Sequence, residues 1–312
     1  MLVVRENMRN FAPKSQINIR MGFWKTFFGG EEENPEKKKK DAEAKNFDLL
    51  KYDGVKATRI GQLDYAVKCF REALKLRDDM ETHDYLQRTL TSAGRLDEAI
   101  EELKTMIAKA PDNMAILLQA AHVAYMQEDY DAMTAFCEQA LSVDADNAMA
   151  SFMMARALLG KDDLVGGIAR LTKAIAQDES LGDARLLRAQ VLMRMGDIDG
   201  AMKDADWLLH HTEAQEDVLL LVARLQHAKG NDDIALTTYG LVIELNPFQI
   251  DAYSERGKIR FDRGDKQGAE EDMQKVLELN PHALDSISGD YEAEGIEQRV
   301  KNAYSFMNPF GI

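Results

Sequence analysis

The sequence is poor in the residues on which small secreted proteins and β-rich proteins depend. Only 2 of its 312 residues are cysteine and only 6 are proline. A secreted scaffold held together by disulfides needs a denser cysteine framework, so we expect a reducing compartment and a cytoplasmic protein. Runs of β-branched residues are few, which argues against a sheet.

Long apolar runs are also missing. No stretch approaches the roughly 18 apolar residues that a membrane-spanning helix needs. The N-terminus has only Leu2–Val4 before Arg5, which is too short for the core of a signal peptide. We therefore expect no stable insertion of this chain into a membrane.

Acidic residues outnumber basic ones beyond the first 46 residues. Residues 1–46 contain 10 Lys and Arg against 7 Asp and Glu, whereas the rest of the chain contains 29 against 47. An acidic body of this kind repels nucleic-acid phosphates and anionic lipid headgroups. We therefore expect no nucleic acid among the partners.

The usual sequence signatures of catalysis, cofactor binding and metal binding are missing too. The six histidines and two cysteines form no His-x3-His or Cys-x2-Cys pair, and no glycine-rich phosphate loop occurs. His210 and His211 are neighbours on a predicted helix, so they point about 100° apart and cannot chelate one ion. Cys137 falls at a core-facing position and is expected to act as a small hydrophobe. We expect no enzyme activity, no cofactor and no metal site.

The chain does contain one pattern that returns about every 34 residues, seven times over. A small residue recurs in the first half of each unit, with one exception at the second place: Gly54, Gln87, Ala121, Ala155, Ala189, Ala223 and Gly257. A turn residue recurs in the middle: Gly61, Gly94, Glu128, Asp162, Gly196, Gly230 and Gly264. A small or apolar residue follows the turn: Ala66, Ala99, Met133, Gly167, Ala201, Ala235 and Ala269. Only a stack of similar structural units needs one register over such a length.

Each unit contains two apolar-periodic segments of about 14 residues, one on either side of the turn. In the sixth unit, Leu219, Val222 and Ala223 follow helical spacing before the turn at Gly230. Pro247 then ends the unit, because proline cannot continue the helix that precedes it. The small residues allow two helices to approach closely. Each unit is therefore predicted to be a pair of antiparallel helices.

These features resemble the tetratricopeptide repeat. The first unit carries the family pattern most fully, in Gly54, Gly61, Ala66, Phe70 and Ala73. The resemblance covers roughly residues 47–283, with units that start near 47, 80, 114, 148, 182, 216 and 250. The fourth position departs from the family, because leucine often replaces the usual aromatic residue there. The family implies an all-α fold, a right-handed α-solenoid of about seven helix-turn-helix repeats, and a non-enzymatic scaffold for protein–protein interaction.

The two ends of the chain lie outside the repeats. Residues 284–312 are predicted to hold a C-terminal cap and tail, with Ile296, Val300 and Tyr304 on one face of a capping helix. Residues 1–46 are predicted to be a flexible tail, because an aromatic cluster at Gly22–Phe28 is followed by blocks of charge.

Three hypotheses account for the aromatic cluster in the tail. Its aromatic side chains dock on a neighbouring surface, or they form a short interfacial helix, or they occupy the binding groove of the same chain. A membrane-peripheral assembly factor, tethered through Trp24–Phe28 and Lys37–Lys40, is the alternative to a scaffold that works away from membranes.

In tetratricopeptide arrays the first helix of each unit lines a concave groove, so the resemblance also implies where a partner binds. The ninth position of the units carries four cations and a histidine in an acidic domain: Arg88, His122, Arg156, Arg224 and Lys258. Neighbouring groove positions are apolar in the middle units: Tyr125, Met126, Met149, Phe152, Met153, Leu186, Leu187, Leu220 and Leu221.

An exposed apolar surface flanked by arginine favours a peptide with apolar anchors and at least one acidic group. Two alternatives remain. The same residues could pack between adjacent first helices, with each arginine paired to a neighbouring Asp or Glu. Two copies of the chain could also associate through the groove and the aromatic tail.

Overall fold

The part of the chain that the structure describes is helical. The computed structural model describes residues 35–212 and 215–283, together with Tyr304. Within these residues there are fourteen α-helices and no strand. They are α1 Pro35–Arg59, α2 Leu63–Leu76, α3 Met80–Ser92, α4 Leu96–Lys109, α5 Met114–Met126, α6 Tyr130–Val143, α7 Ala148–Gly160, α8 Leu164–Gln177, α9 Gly182–Arg194, α10 Ile198–His211, α11 Glu216–Ala228, α12 Asp232–Leu245, α13 Ile250–Asp262 and α14 Lys266–Leu279.

The helices form seven pairs, and the chain divides into two compact units, residues 1–102 and 103–312. In the first unit, α1 packs against α2 and α2 packs against α3. In the second unit, each helix from α5 to α14 packs against the next one. The first helices of neighbouring pairs also touch, α5 with α7 and α9 with α11. The all-α helical-repeat prediction is confirmed.

All seven turns within the pairs have the same left-handed backbone conformation. The residue with positive φ is glycine in five turns, with φ between 71° and 84°. The other two turns have Glu128 at 58° and Asp162 at 61°. These are the seven turn residues that the sequence predicts. Glycine adopts this conformation without steric cost, whereas a side chain makes it unfavourable.

The repeated small positions are buried where the two helices of a pair meet. Ala121, Ala155, Ala189 and Ala223 are buried in the first helices, and their counterparts after the turn are buried as well. Gly54 faces the ring of Phe70, which a Cβ atom at this position would approach to 2.6 Å. The close approach of the helices explains why small residues recur here.

The first helix begins earlier than the sequence analysis expects. We predicted a flexible tail up to residue 46, but α1 starts at Pro35 and includes Lys37–Lys40. Proline fits the first position of a helix, and Glu36 in the first turn interacts favourably with the helix dipole. The alanines and long polar residues that follow are good helix formers. The predicted tail is therefore too long at its C-terminal end.

Several predictions lie outside the described residues. They include the aromatic cluster Gly22–Phe28 and the capping helix that the sequence places around Tyr291–Tyr304. Tyr304 itself is described and is fully buried. Its hydroxyl donates a hydrogen bond to the carbonyl of Ala269 on α14, 3.1 Å away, and its ring lies 5.6 Å from that of Phe261 on α13.

Candidate partner-binding site

Four of the apolar residues predicted to line the groove are core residues. Leu220 is 6% exposed and Leu221 is 2% exposed, and Phe152 and Met153 are also buried. Leu220 packs with Ala223, Tyr239 and other residues of α11, α12 and α13. The expected exposure of these four side chains is wrong, because close packing of adjacent helices leaves no open surface at these positions.

The two leucines of α9 are half-buried. Leu186 packs against the core cluster that contains Leu221, and Leu187 packs against the cluster that contains Phe152. The predicted apolar strip therefore does not run through the middle repeats as a continuous exposed surface. What remains exposed lies on α5 and α7.

Arg224 is bound by carboxylates of the following repeat. Its guanidinium donates three hydrogen bonds of 2.6 to 3.0 Å to the carboxylate of Glu255, which is 1% exposed, and one of 3.1 Å to Asp251. The hydroxyl of Tyr239 also donates to Glu255, at 2.9 Å. Burial raises the pKa of Glu255, although the hydrogen bonds from Arg224 and Tyr239 oppose this effect. This network joins α11, α12 and α13. Arg224 is therefore paired with neighbouring carboxylates between packed helices, as the alternative to the groove hypothesis expects.

Two further cations at the ninth position are paired within their own helices. Lys258 forms an ion pair with Asp262 at 2.5 Å. Arg88, which belongs to the first compact unit, forms one with Asp84 at 2.9 Å. Pairs of this spacing on a helix surface contribute only a few tenths of a kcal/mol. They hold these side chains only weakly.

Arg156 is different, because its partners are aromatic rings. Its guanidinium carbon lies 3.7 Å from the centroid of the Tyr125 ring and 5.8 Å from that of Phe152. Among the described residues, Arg156 has no ion pair with a carboxylate. Stacking on a ring face leaves the N–H groups of a guanidinium free in its own plane, where they can bind a carboxylate in a bidentate way.

Exposed apolar side chains lie on the two helices that carry Tyr125 and Arg156. Met126 on α5 is 44% exposed and Met149 on α7 is 43% exposed. Met149, Phe152 and Arg156 follow one another at intervals of three and four residues, so they lie on one face of α7. His122 is exposed one turn before Tyr125 and Met126 on α5. We call His122, Tyr125, Met126, Met149 and Arg156 the Arg156 patch.

The ring of Tyr125 packs against an aromatic residue that follows the next turn. The rings of Tyr125 and Tyr130 lie 6.4 Å apart, at a tilt of 59°. The Tyr130 ring in turn packs on Gly160 at the end of α7, where a Cβ atom would collide with it. A side chain at residue 160 would therefore displace the aromatic rings that hold Arg156.

The second unit contains a set of buried carboxylates that the sequence pattern does not predict. Asp204 accepts hydrogen bonds of 2.7 and 2.6 Å from Arg188, and Asp272 accepts bonds of 3.1 and 2.6 Å from Arg256. Both carboxylates occupy the twenty-third position of their repeats, on the core side of the second helix. The same position holds Glu102 and Arg170 in other repeats, so a charge there does not by itself predict a buried carboxylate. Burial of an unpaired charge is costly, so these pairs must form when the helices pack.

The described residues form neither a metal-binding cluster nor a membrane-spanning helix. No group of three or more His, Cys, Asp or Glu side chains there could hold a metal ion. No helix in that part of the chain is both long and apolar enough to cross a membrane.

Comparison with known proteins identifies the repeat. Residues 250–282 match the family model of the tetratricopeptide repeat. A solved tetratricopeptide repeat protein from Parabacteroides merdae is similar over 83% of this chain and 99% of its own, with 16% identity and a TM-score of 0.62. PilF of Pseudomonas aeruginosa is similar over 66% of this chain and 94% of its own, with 17% identity and a TM-score of 0.54.

A third solved structure is YrrB, described as a tetratricopeptide protein with an unusual peptide-binding site. It is similar over 64% of this chain and 97% of its own, with 16% identity and a TM-score of 0.50. The comparison with curated proteins gives no match.

Helix pairs that meet at small residues, each with a left-handed turn, define a helical-repeat protein. The fold is that of the solved tetratricopeptide repeat proteins, and one repeat, residues 250–282, matches the family model.

Proposed function

We propose that this protein is a non-enzymatic scaffold that binds a peptide segment of a partner protein at the Arg156 patch. The peptide carries an acidic side chain and apolar anchors. The observation that carries this proposal is the guanidinium of Arg156, which stacks on Tyr125 and has no carboxylate partner among the described residues. The other arginine at the same repeat position in the second unit, Arg224, is taken up by Glu255.

The patch supplies the chemistry that such a peptide needs. A carboxylate of the peptide accepts two hydrogen bonds from Arg156, a type of contact that contributes about 1.5–3 kcal/mol. Met126 and Met149 have flexible, polarizable side chains that adapt to apolar anchors of different shape. Because the rings of Tyr125 and Phe152 already hold the arginine, little side-chain entropy is lost on binding.

The family supports the general form of this function. YrrB is described as having a peptide-binding site, and it has the same fold as this chain. The acidic character of the body makes one available arginine more significant, because it is a local site of positive charge on a surface that otherwise repels acidic ligands.

Selection from a random peptide library displayed on phage tests the proposal. We expect the wild-type protein to enrich peptides with Asp or Glu next to apolar residues. The variant Arg156→Gln should lose the enrichment of acidic residues, and Met149→Ser should weaken the preference for apolar ones. Arg88→Gln removes a cation at the same repeat position in the first unit and is the matched control, which should select like the wild type.

The proposal is overturned if no peptide family is enriched, or if Arg156→Gln selects the same acidic peptides as the wild type. Circular dichroism of each variant shows that it is folded. Arg224 is unsuitable for this test, because its substitution disrupts the network around Glu255 and affects stability as well as any binding.

A further inference from the structure

The first helix of the array presents an apolar surface that is buried in other repeats. Leu49 is 61% exposed and Tyr52 is 66% exposed, and both lie on the side of α1 opposite to the buried Phe47, Gly54 and Ala57. Leu49 and Tyr52 are three residues apart, so they form one face of the helix.

Comparison between the repeats explains what this face is. Leu49 is the third residue of its unit, and the third residue is buried in the first helices α3, α7, α9, α11 and α13, each of which packs against the helix before it. These buried counterparts are Thr82, Ala150, Ala184, Val218 and Ala252. Lys56, at the tenth position, is exposed, while its counterparts Thr89, Ala157, Val191, Leu225 and Ile259 are all buried. The exposed face of α1 is therefore the place where a preceding helix packs in the other repeats.

The described residues contain no helix that precedes α1. The chain that leads into α1 has 34 further residues, and their most apolar part is the aromatic cluster Gly22–Phe28. Only six residues, 29–34, separate this cluster from Pro35. The segment best placed to cover the face is thus attached directly to the helix that carries it.

The length of this connection matches the distance to the face. From Phe28 to Pro35 the chain spans at most about 24 Å when extended. From Pro35 to Leu49 the helix rises about 21 Å. Phe28 can therefore reach Leu49 when the segment folds back along α1.

Charge is complementary as well. Lys25 lies within the aromatic cluster, and Asp53 is exposed on α1 immediately after Tyr52. When Phe28 lies at Leu49 and the segment continues along α1 as an antiparallel helix with the same rise of about 1.5 Å per residue, Trp24 and Lys25 come to the level of Tyr52 and Asp53. The apolar residues then meet apolar residues, and the two opposite charges are neighbours.

We propose that the segment Gly22–Phe28 docks on the face of α1 formed by Leu49 and Tyr52 and caps the N-terminal end of the array in the same chain. The segment takes the place of the helix that precedes the first helix in other repeats. This proposal is independent of the Arg156 patch.

The two tryptophans of the chain, Trp24 and Trp207, make the docking directly measurable. The full-length variant Trp207→Phe keeps Trp24 as the single tryptophan reporter. We expect its fluorescence to be blue-shifted and its quenching by acrylamide to be several-fold weaker than that of free tryptophan. Adding Leu49→Asp and Tyr52→Asp should raise the quenching constant of Trp24 at least about threefold and shift its emission to the red.

A matched control uses exposed apolar residues elsewhere. Leu241→Asp with Leu245→Asp changes two exposed leucines of α12 and should leave Trp24 unchanged. As a second measurement, deletion of residues 22–28 should increase amide hydrogen exchange in α1, with no change in α12. Circular dichroism checks that the variants remain folded.

Four results overturn the proposal. In the Trp207→Phe variant, acrylamide could quench Trp24 as strongly as it quenches free tryptophan. Alternatively, the protection of Trp24 could be unaffected by Leu49→Asp and Tyr52→Asp. Protection that disappears on dilution assigns the contact to a second copy of the chain. Protection that arises only when anionic lipid vesicles are added assigns the segment to a membrane surface.

Discussion

The guanidinium of Arg224 donates three hydrogen bonds to the buried carboxylate of Glu255 on the first helix of the next repeat. Arg156 holds the same position two repeats earlier, but it stacks on Tyr125. One repeat position therefore serves packing in one place and leaves an arginine available for a ligand in another. The difference lies in the residue that the following repeat offers, and it leads to a direct prediction.

Replacement of Arg224 by methionine should destabilise the second unit by about 3 kcal/mol, because it leaves the charge of Glu255 buried without its partner. The measurement is urea unfolding followed by circular dichroism. Arg156→Met is the matched control and should cost less than about 1 kcal/mol, since no buried carboxylate depends on it.

A second substitution identifies the cause. The double variant Arg224→Met/Glu255→Gln removes the buried charge but keeps an acceptor for the hydroxyl of Tyr239. It should recover a large part of the lost stability. Equal losses in Arg224→Met and Arg156→Met, or no recovery in the double variant, would contradict this account of the network.

Replacement of Glu128 by glycine should stabilise the protein by about 1 kcal/mol. Glu128 has a φ of 58°, in the left-handed region that costs a residue with a side chain about 1–2 kcal/mol. Urea unfolding measures the change. Glu128→Ala is the control, because alanine removes the carboxylate but keeps the steric cost. A gain with alanine equal to that with glycine would attribute the effect to charge instead of backbone strain.

Two glycines of the second unit should respond to alanine in opposite directions. At Gly257 on α13 a Cβ atom would collide with the hydroxyl of the buried Tyr304, so Gly257→Ala should destabilise by about 2 kcal/mol. At Gly240 on α12 the nearest atom to an added Cβ is Nη1 of Arg256, 4.0 Å away. Gly240→Ala should therefore stabilise by about 0.5–1 kcal/mol, because alanine favours helix. Thermal unfolding of both variants checks the pair, and the same sign for both would disprove the packing argument.

The first unit should lose stability in acid through Asp79, which caps α3. Burial raises the pKa of this carboxyl, but hydrogen bonds from Thr82 and Lys51 outweigh it and lower the pKa to about 2. Because the folded-state pKa lies below the unfolded value of 3.8, its contribution is present above pH 4 and is lost as the pH falls towards 2. Asp79 is partly exposed and solvent screens its charge, so we expect a loss of only about 1 kcal/mol.

The variant Asp79→Asn tests this pH dependence, because asparagine still caps the helix but carries no charge. Its unfolding free energy should fall less than that of the wild type between pH 4.5 and pH 2. Asp41→Asn changes an exposed carboxylate of α1 and should behave like the wild type. Parallel curves for wild type and Asp79→Asn would show that Asp79 does not carry the effect.

Most of the fold could be predicted from the sequence, since its signals are local. The turn residues from Gly61 to Gly264 occur where the backbone becomes left-handed, and the small residues occur where helices touch. The start of α1 at Pro35 does not follow from the sequence pattern, because the charge block Lys37–Lys40 is typical of disorder, whereas its neighbours favour a helix.

The candidate site was predicted only in part. The sequence places Arg156, Tyr125, Met126 and Met149 on the first helices, and the structure leaves the two methionines exposed. The sequence does not distinguish these exposed methionines from the buried Leu220 and Leu221, because exposed and buried apolar residues follow the same helical period. Exposure depends on how closely the next helix packs, and that distance is not encoded in the pattern of one repeat.

What the sequence determined by itself is the number of helices, the position of each turn and the register of the small residues, because backbone conformation and helix period depend on neighbours along the chain. The tertiary structure decided which charges are structural and which are available. Arg224 meets Glu255 and Arg188 meets Asp204 only when separate helices pack together. Such pairs form because a buried charge needs a partner, and the packing of the repeats selects that partner.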